Sequence, residues 1–265
     1  MKGRAVKALF KTESAHQTIF VGEQRGVRFL SFGDRRAGWQ GAYLPARPER
    51  LYFPYQQAFS LHTAWRPRVE RFLAIGVGTG TAIGHVFRRH PEARIVGVDI
   101  DLAVIEAARR FFALPESGRI ELLAADARSA VPQMAERFDL IFLDVFYREE
   151  TPKTLLSPLY LNVLRDRLAP GGVLAINAIL ATAGPRGQRF RDLCRHLKLT
   201  VGPVWWINVG LVPQWENNVL LFARRMPTGV PATEELRARA RREIRVHPRA
   251  YAPYSRLIPV RIRRG

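Results

Sequence analysis

The spacing of hydrophobic residues separates a short N-terminal part of the chain from a longer central part. Within residues 1–62, Gln17–Val21 and Gly26–Phe32 are rich in aromatic and β-branched residues, and a Gly-Glu-Gln-Arg stretch separates them. This pattern is typical of a β-hairpin, and Gly41–Leu44 has the composition of a further strand. We therefore predict a small β-rich segment over residues 1–62.

The central part, residues 63–226, alternates between predicted strands and helices. Apolar runs predict strands at Arg71–Gly76, Arg94–Asp99, Arg119–Ala124, Phe138–Asp144 and Val173–Asn177. Helical spacing predicts helices at Thr81–Arg89, Leu102–Phe112, Pro158–Leu168 and Arg189–Leu199. Val204–Val209 and Val219–Ala223 are expected to close the sheet as an antiparallel pair. Unbroken apolar strands are typical of a parallel sheet with helices on both faces, so we predict an α/β, Rossmann-like, doubly wound fold.

The last predicted unit is a basic tail over residues 227–265. The chain has a net charge of +19, and Arg224–Gly265 holds 12 arginines, no lysine and three glutamates. Such a segment can bind nucleic acid or another anionic surface by releasing counterions. It can equally be a solvated face, because no RNA-binding motif accompanies the charge.

Other features disfavour several classes of protein. Cys194 is the one cysteine, so no intrachain disulfide can form. We expect no signal peptide, and the longest apolar run, near Val173–Ala183, is interrupted by Asn177 and is shorter than the roughly 20 residues that span a bilayer. We therefore expect a cytoplasmic protein.

The sequence also lacks the motifs that are typical of metalloenzymes and hydrolases. The sequence has neither G-x-S-x-G nor H-E-x-x-H, and its six histidines show no ligand-like spacing. His85, His90 and His196 are predicted to lie at surface positions or at the ends of helices. We predict no metal.

The sharpest motif is the glycine loop Gly76-Val77-Gly78-Thr79-Gly80, between a predicted strand and a predicted helix. Glycines there let the backbone approach a ligand, and the following helix N-terminus offers free N–H groups. Thr81 and Ile83 stand where a dinucleotide-binding G-x-G-x-x-G motif would need its third glycine, which disfavours NAD. A tight turn without a ligand is the alternative.

Two aspartates follow at the ends of the next two predicted strands. Asp99 lies 19 residues after Gly80, and Asp126 follows the third strand. An acidic residue at the first of these positions can accept hydrogen bonds from both ribose hydroxyls, and ligands of such sheets bind at the carboxyl ends of strands. Although each aspartate alone is more often a turn or cap residue, three successive strand ends of this kind predict a nucleotide site.

The order of these motifs resembles the spermidine synthase (polyamine aminopropyltransferase) family, from about Gln17 to Ala223. The matching segments are GVRFLSFGD, Pro54-Tyr55-Gln56-Gln57, IGVGTGT, VGVDID, AADA, FDLIFLDVF and TPKTLLSPLYLNVLRDRLAPGGVLAIN. The resemblance implies the class I S-adenosylmethionine-dependent methyltransferase fold and a transferase. The nucleotide would be decarboxylated S-adenosylmethionine or S-adenosylmethionine, bound as the donor substrate.

The resemblance also implies roles for particular residues. Asp99 would hold the ribose, Asp126 the adenine amino group and Gln56 the nucleoside, while Gly76, Gly78, Thr79 and Gly80 would form the rest of the nucleotide site.

Tyr55 and Asp144 would lie beside the attacking amine. Because the amine must lose a proton to become a nucleophile, Asp144 is the candidate base and Tyr55 the weaker candidate. Their alternatives are a loop cap for Asp144 and simple packing for Tyr55.

Two positions depart from the family pattern. The family has Asp in place of Thr79, and that carboxylate holds the ammonium of the donor's aminopropyl group. It has a second Asp in place of Tyr147, and that carboxylate helps to hold the diamine. Each charged hydrogen bond contributes roughly 1.5–3 kcal/mol, so both losses weaken a site for cations. Glu149 and Glu150 are candidates to substitute, or belong to a solvated loop.

Three functions follow from these observations. The first is transfer of an aminopropyl group from decarboxylated S-adenosylmethionine to a small amine. The second is an S-adenosylmethionine-dependent methyltransferase acting on a small molecule or RNA, which Thr79 and the basic tail favour. The third is a nucleotide-binding protein without turnover. The resemblance further implies a homodimer or homotetramer.

Overall fold

A four-stranded antiparallel sheet forms the N-terminal part of the molecule. The computed structural model describes residues 6–33, 37–146, 152–226, 229–251 and 258–265. The sheet consists of β1 (Lys7–Glu13), β2 (Thr18–Gln24), β3 (Val27–Phe32) and β4 (Trp39–Tyr43), in that order. This confirms the predicted β-rich N-terminal segment. Strand β1 was not predicted, because it is a mostly exposed edge strand with no clear hydrophobic face.

The larger sheet has eight strands in the described residues, in the order β12-β10-β11-β9-β8-β5-β6-β7. Strands β5 to β9 pair in parallel, whereas β10, β11 and β12 pair antiparallel. The bounds are β5 (Arg71–Ile75), β6 (Arg94–Asp99), β7 (Ile120–Ala124), β8 (Phe138–Leu143), β9 (Leu168–Leu180), β10 (Val204–Asn208), β11 (Asn217–Arg224) and β12 (Arg263–Arg264). The α/β, Rossmann-like prediction is confirmed.

Helices cover both faces of this sheet. They are α1 (Pro54–Ser60), α2 (Thr81–Arg89), α3 (Leu102–Phe111), α4 (Ala127–Ala130), α5 (Pro158–Arg167), α6 (Gln188–Thr200) and α7 (Thr233–Val246). Helices α1, α2 and α7 contribute to the core on one face, and α5 and α6 contribute to the core on the other. Helix α3 joins the two sheets, because Val104 and Ala107 pack on Ile19 and Val21 of β2 while Ile105 and Ala108 belong to the main core.

The arginine-rich C-terminal segment is folded where the structure describes it. Leu236 and Ala240 of α7 are fully buried against the main sheet, and β12 pairs with the edge strand β10. Arg89 on α2 forms an ion pair with Glu243 on α7. The apolar face of α7 therefore anchors this segment, while many of its arginines lie on the opposite side. No helix in the described residues is long and apolar enough to cross a membrane.

Candidate active site

The carboxyl ends of the parallel strands open into a cavity of about 400 Å³. Helix α1 and the N-terminal sheet form its other walls. Eight of the nine residues predicted for the site line it, namely Tyr55, Gln56, Gly76, Gly78, Thr79, Asp99, Asp126 and Asp144. The ninth, Gly80, is not part of the lining and occupies the N-cap position of α2 with φ of 70°.

The glycine loop leaves space where a nucleotide would lie. Gly76 has a φ of 90°, and a Cβ at this position would lie 2.3 Å from the carbonyl oxygen of Asp144. Gly78 has a φ of 52°, and a Cβ there would meet nothing within 4 Å. Gly76 is therefore required by close packing of two strand ends, whereas Gly78 keeps the cavity open.

Thr79 is held under the N-terminal sheet. Its side chain is 5% exposed, and its hydroxyl lies 2.8 Å from that of Thr81. A Cβ on Gly41 of β4 would lie only 2.4 Å from the Thr79 methyl group. Strand β4 thus closes over the glycine loop, and the position that carries a carboxylate in the resembled family carries a small neutral side chain here.

Asp99 is fixed by the backbone around it. Its two carboxylate oxygens accept hydrogen bonds from the amides of Val77 at 2.9 Å and Asp101 at 3.1 Å. Burial raises the pKa of Asp99, and these amide hydrogen bonds oppose the rise. The amide of Gly78 also donates to this carboxylate. Of its roughly four lone-pair sites, about one is therefore left to accept a hydrogen bond from a neighbouring hydroxyl.

Asp126 is engaged by a neighbour on its own loop. It caps α4 by accepting a hydrogen bond from the amide of Arg128 at 2.8 Å, and its carboxylate forms an ion pair with the Arg128 guanidinium at 2.6 Å. The hydrogen bonds from Arg128 lower the pKa of Asp126. The carboxylate is therefore ionised and lines the cavity, but it is already paired with a cation.

Asp144 follows β8 and lines the same cavity as Tyr55 of α1. Asn177 of β9 donates a hydrogen bond from its side-chain amide to Asp144 at 2.9 Å. Burial raises the pKa of Asp144 to about 6, against the effect of this hydrogen bond. Burial, and then the charge of Asp144, raise the pKa of Tyr55 well above its usual value. At neutral pH the pair therefore consists of a carboxylate close to its pKa and a protonated phenol.

Gln56 both caps α1 and lines the cavity. Its side-chain oxygen accepts a hydrogen bond from the amide of Phe53 at 3.1 Å, which fixes the first turn of the helix. The same side chain is 7% exposed, and a hydrogen bond with Tyr55 acts to lower the tyrosine pKa. Gln56 therefore joins the predicted nucleoside site to the predicted acceptor site.

The histidines differ from the sequence prediction. His85 is 8% exposed in the middle of α2, so the prediction was wrong for it. His90 lies at the end of α2, as predicted, but it is only 6% exposed. They pack with the fully buried His62, whose Nε2 lies 3.0 Å from that of His90. Tertiary contacts between α1 and α2 bury them, which helical spacing alone does not show. His196 is half-buried.

Two residues of the site were missed as functional candidates. Asn177 is a fully buried amide inside the apolar strand β9, and its break in the hydrophobic run was the available signal. His85 lines the cavity one turn after Thr81 on α2, and this spacing behind the glycine loop was its signal. Tyr147, Glu149 and Glu150 lie outside the described residues. In those that are described, no group of three or more metal-ligating side chains is arranged to hold an ion.

Comparison with known proteins shows what the chain is similar to. Residues 72–172 match the family described as "Methyltransferase domain". The chain is 30% identical over 176 residues to the polyamine aminopropyltransferase of Vibrio vulnificus, covering 64% of this chain and 58% of the relative. It is 28% identical to that of Chromobacterium violaceum, covering 84% of this chain and 82% of the relative.

Comparison of the fold with solved structures covers nearly the whole chain. A probable spermidine synthase from Corynebacterium glutamicum superposes with a TM-score of 0.77 at 18% identity, covering 89% of this chain and 86% of the other. The chain has the class I methyltransferase fold, and the proteins that it resembles in sequence and structure are polyamine aminopropyltransferases and spermidine synthases. The resemblance noted from the motifs is thereby confirmed. Because the match spans 58% of the Vibrio vulnificus relative, the activity of that protein is not carried over with the fold.

Proposed function

We propose that this spermidine-synthase-like protein is a transferase that moves an aminopropyl group from decarboxylated S-adenosylmethionine to a small amine, with Asp144 as the base. The observation that carries the proposal is that Asp144 and Tyr55 line the same cavity as the glycine loop, close enough for the charge of Asp144 to raise the pKa of Tyr55. Burial raises the pKa of Asp144 to about 6, which suits a base that works near neutral pH.

The nucleoside half of the cavity supports a bound adenosyl group. Asp99 would bind the ribose, Asp126 the adenine amino group, and Gln56 and the glycine loop the rest of the nucleoside. The open space above Gly78 and the backbone-anchored Asp99 fit this assignment. Asp126 would have to bind the adenine while it stays paired with Arg128.

Charge in the cavity favours the decarboxylated nucleotide. Three carboxylates line the described part of the cavity, from Asp99, Asp126 and Asp144, and its one arginine, Arg128, is paired with Asp126. The decarboxylated nucleotide carries two positive charges and no carboxylate. S-adenosylmethionine adds a carboxylate, for which the described lining offers no unpaired arginine or lysine.

The proposed reaction is a displacement at carbon. The amine nitrogen bonds to the aminopropyl carbon attached to sulfur, the carbon–sulfur bond breaks, and its electron pair stays on sulfur. The products are the aminopropylated amine and 5′-methylthioadenosine. The amine loses one proton to Asp144, while the neutral phenol of Tyr55 orients the nitrogen.

A product assay tests this proposal. The protein is incubated with a panel of small amines and either sulfonium nucleotide, and the nucleoside product is identified by mass. We expect 5′-methylthioadenosine with an aminopropylated amine. Formation of S-adenosylhomocysteine would contradict the proposal in favour of methyl transfer, and tight nucleotide binding without any product would favour the non-catalytic alternative.

Methyl transfer is the second candidate, and Thr79 is the observation that favours it. With no carboxylate at this position, nothing in the loop binds the aminopropyl ammonium or repels the carboxylate of S-adenosylmethionine. Thr79→Asp tests this point: under the main proposal it strengthens binding of the decarboxylated nucleotide by roughly tenfold, as one added charged hydrogen bond would. If the folded Thr79→Asp variant binds the decarboxylated nucleotide with unchanged affinity, this account of the loop is contradicted.

The proposed function extends to binding partners and to the location of the protein in the cell. A small amine is the proposed acceptor. A homodimer or homotetramer, a cytoplasmic location and nucleic-acid binding by the arginine-rich segment are predictions from the sequence.

A further inference from the structure

Aromatic rings line the part of the cavity that lies between α1 and α2. Phe59 stacks on Phe142 with ring centroids 4.0 Å apart, and it also stacks on His62 at 5.2 Å. The ring of His85 meets that of His62 edge-on, with centroids 5.9 Å apart. Phe59, Phe142 and His85 line the cavity. Because side chains alternate along a strand, Phe142 lies on the same side as Asp144, so the row of rings leads from Asp144 to His85.

Hydrogen bonding separates His85 from the other two histidines. Nδ1 of His62 lies 3.1 Å from the carbonyl oxygen of Phe59, so this nitrogen carries the proton and donates. Nε2 of His62 must then accept the hydrogen bond from Nε2 of His90. These two rings are therefore engaged with the protein, whereas Nε2 of His85 is buried without a hydrogen-bond partner in the described structure.

The surroundings of His85 are unfavourable for a cation. Burial, and then the positive charge of Arg88 one turn further along α2, lower the pKa of His85 to about 3. The imidazole is neutral at neutral pH and cannot replace a carboxylate. The other carboxylates of the described lining are engaged: Asp99 by backbone amides and Asp126 by Arg128.

We infer that the acceptor is a monoamine with an apolar body, whose amino group lies at Asp144 and Tyr55 and whose uncharged end lies along the rings toward His85. The inference rests on the proposed function for the amine as acceptor and adds its chemical class. A diamine would place its second ammonium beside a neutral imidazole, where the described lining offers no unengaged carboxylate and Arg88 is a nearby cation. Burial of an unpaired charge is costly, so this end of the cavity selects against it.

Two amines of equal length test the inference directly. n-Pentylamine and 1,4-diaminobutane each have six non-hydrogen atoms and differ in one end, which is a methyl group in the first and an ammonium in the second. Each is titrated calorimetrically into the whole protein, with and without 5′-methylthioadenosine. We expect n-pentylamine to bind at least tenfold more tightly. Equal or tighter binding of 1,4-diaminobutane, or binding of neither amine, overturns the inference.

The nucleoside titration keeps this result separate from the proposed function. If 5′-methylthioadenosine does not bind, the nucleotide proposal fails, and the comparison of the two amines without nucleoside still decides the acceptor class.

Variants at position 85 test the residue itself. His85→Glu supplies a carboxylate at the far end and should shift the preference toward 1,4-diaminobutane by at least tenfold, whereas His85→Gln should leave it unchanged. The matched control is His196→Glu, which adds the same charge on α6, on the opposite face of the sheet. An unchanged preference in a folded His85→Glu variant would remove His85 from the acceptor site; the wild-type comparison stands even if this variant fails to fold.

Discussion

The proposed nucleoside half and the proposed acceptor half of the cavity are built in different ways. The nucleoside half uses strand ends that follow one another along the chain, and local backbone contacts position its groups, as when Val77 and Asp101 hold Asp99. The acceptor half joins distant segments: Tyr55 from α1, Asp144 from β8, Asn177 from β9 and His85 from α2. It therefore depends on how the helices and strands pack.

This difference shows where a common scaffold can change its specificity. A change in the nucleoside half disturbs a local turn, because backbone amides of that turn position Asp99. In the acceptor half, single replacements change the charge of the cavity without breaking a motif. The neutral His85 lies in such a position.

The largest expected effect is that of Asp144→Asn, which should lower the rate of product formation and leave nucleoside binding almost unchanged. Asp144→Asn removes the base but keeps an oxygen for the hydrogen bond from Asn177. We expect product formation to fall about 10²- to 10³-fold, as loss of a general base does, while the affinity for 5′-methylthioadenosine changes less than about twofold. Steady-state rates and calorimetry measure the two. Asp192→Asn on the exposed face of α6 is the control. If Asp144→Asn forms product at the wild-type rate, Asp144 is not the base.

Gly76→Ala and Gly78→Ala should act differently, although they lie in one loop. Gly76→Ala drives a Cβ against the Asp144 carbonyl and should destabilise the fold by about 2–4 kcal/mol, because steric overlap adds to the backbone strain. Gly78→Ala has room and should cost about 1 kcal/mol while weakening nucleoside binding. Urea unfolding and calorimetry measure these changes. Equal loss of stability in both variants would contradict the packing role given to Gly76.

The pH dependence of the free energy of unfolding should show the cost of burying the charge of Asp144. Its pKa is raised to about 6 in the folded protein, so the ionised form is disfavoured there, and this destabilisation develops as the pH rises from about 4 through 6. We expect Asp144→Asn to be more stable than the wild type at pH 7.5, by about 2–3 kcal/mol, and nearly equal at pH 4. Thermal melts at both pH values check this; a gain that is the same at pH 4 would have another cause.

The smallest effect should be a shift of the pH profile. Product formation should rise with pH through about 6, because the base acts when it is deprotonated. The hydrogen bond from Asn177 lowers the pKa of Asp144, so Asn177→Leu should move the midpoint upward, by roughly 0.5–1 pH unit. A midpoint that stays in place, measured on the rate at saturating substrate, would mean that Asn177 does not tune the base.

The same contrast explains what the sequence could predict. Apolar strands and the glycine loop revealed the fold and the nucleoside half, because both depend on local spacing. Tyr55 and Asp144 were found only through the longer resemblance, since no local pattern links residues from α1 and β8. Asn177 and His85 were missed because burial of a polar side chain depends on tertiary packing, and β1 was missed because an exposed edge strand carries little hydrophobic signal.

The most direct test of the central claim is a calorimetric titration of the protein with decarboxylated S-adenosylmethionine and, separately, with S-adenosylmethionine. The two nucleotides differ only in a carboxylate, for which the described part of the cavity offers no unpaired arginine or lysine. We predict that the decarboxylated nucleotide binds at least several-fold more tightly. Tighter binding of S-adenosylmethionine, or binding of neither, would contradict the proposed aminopropyl transfer.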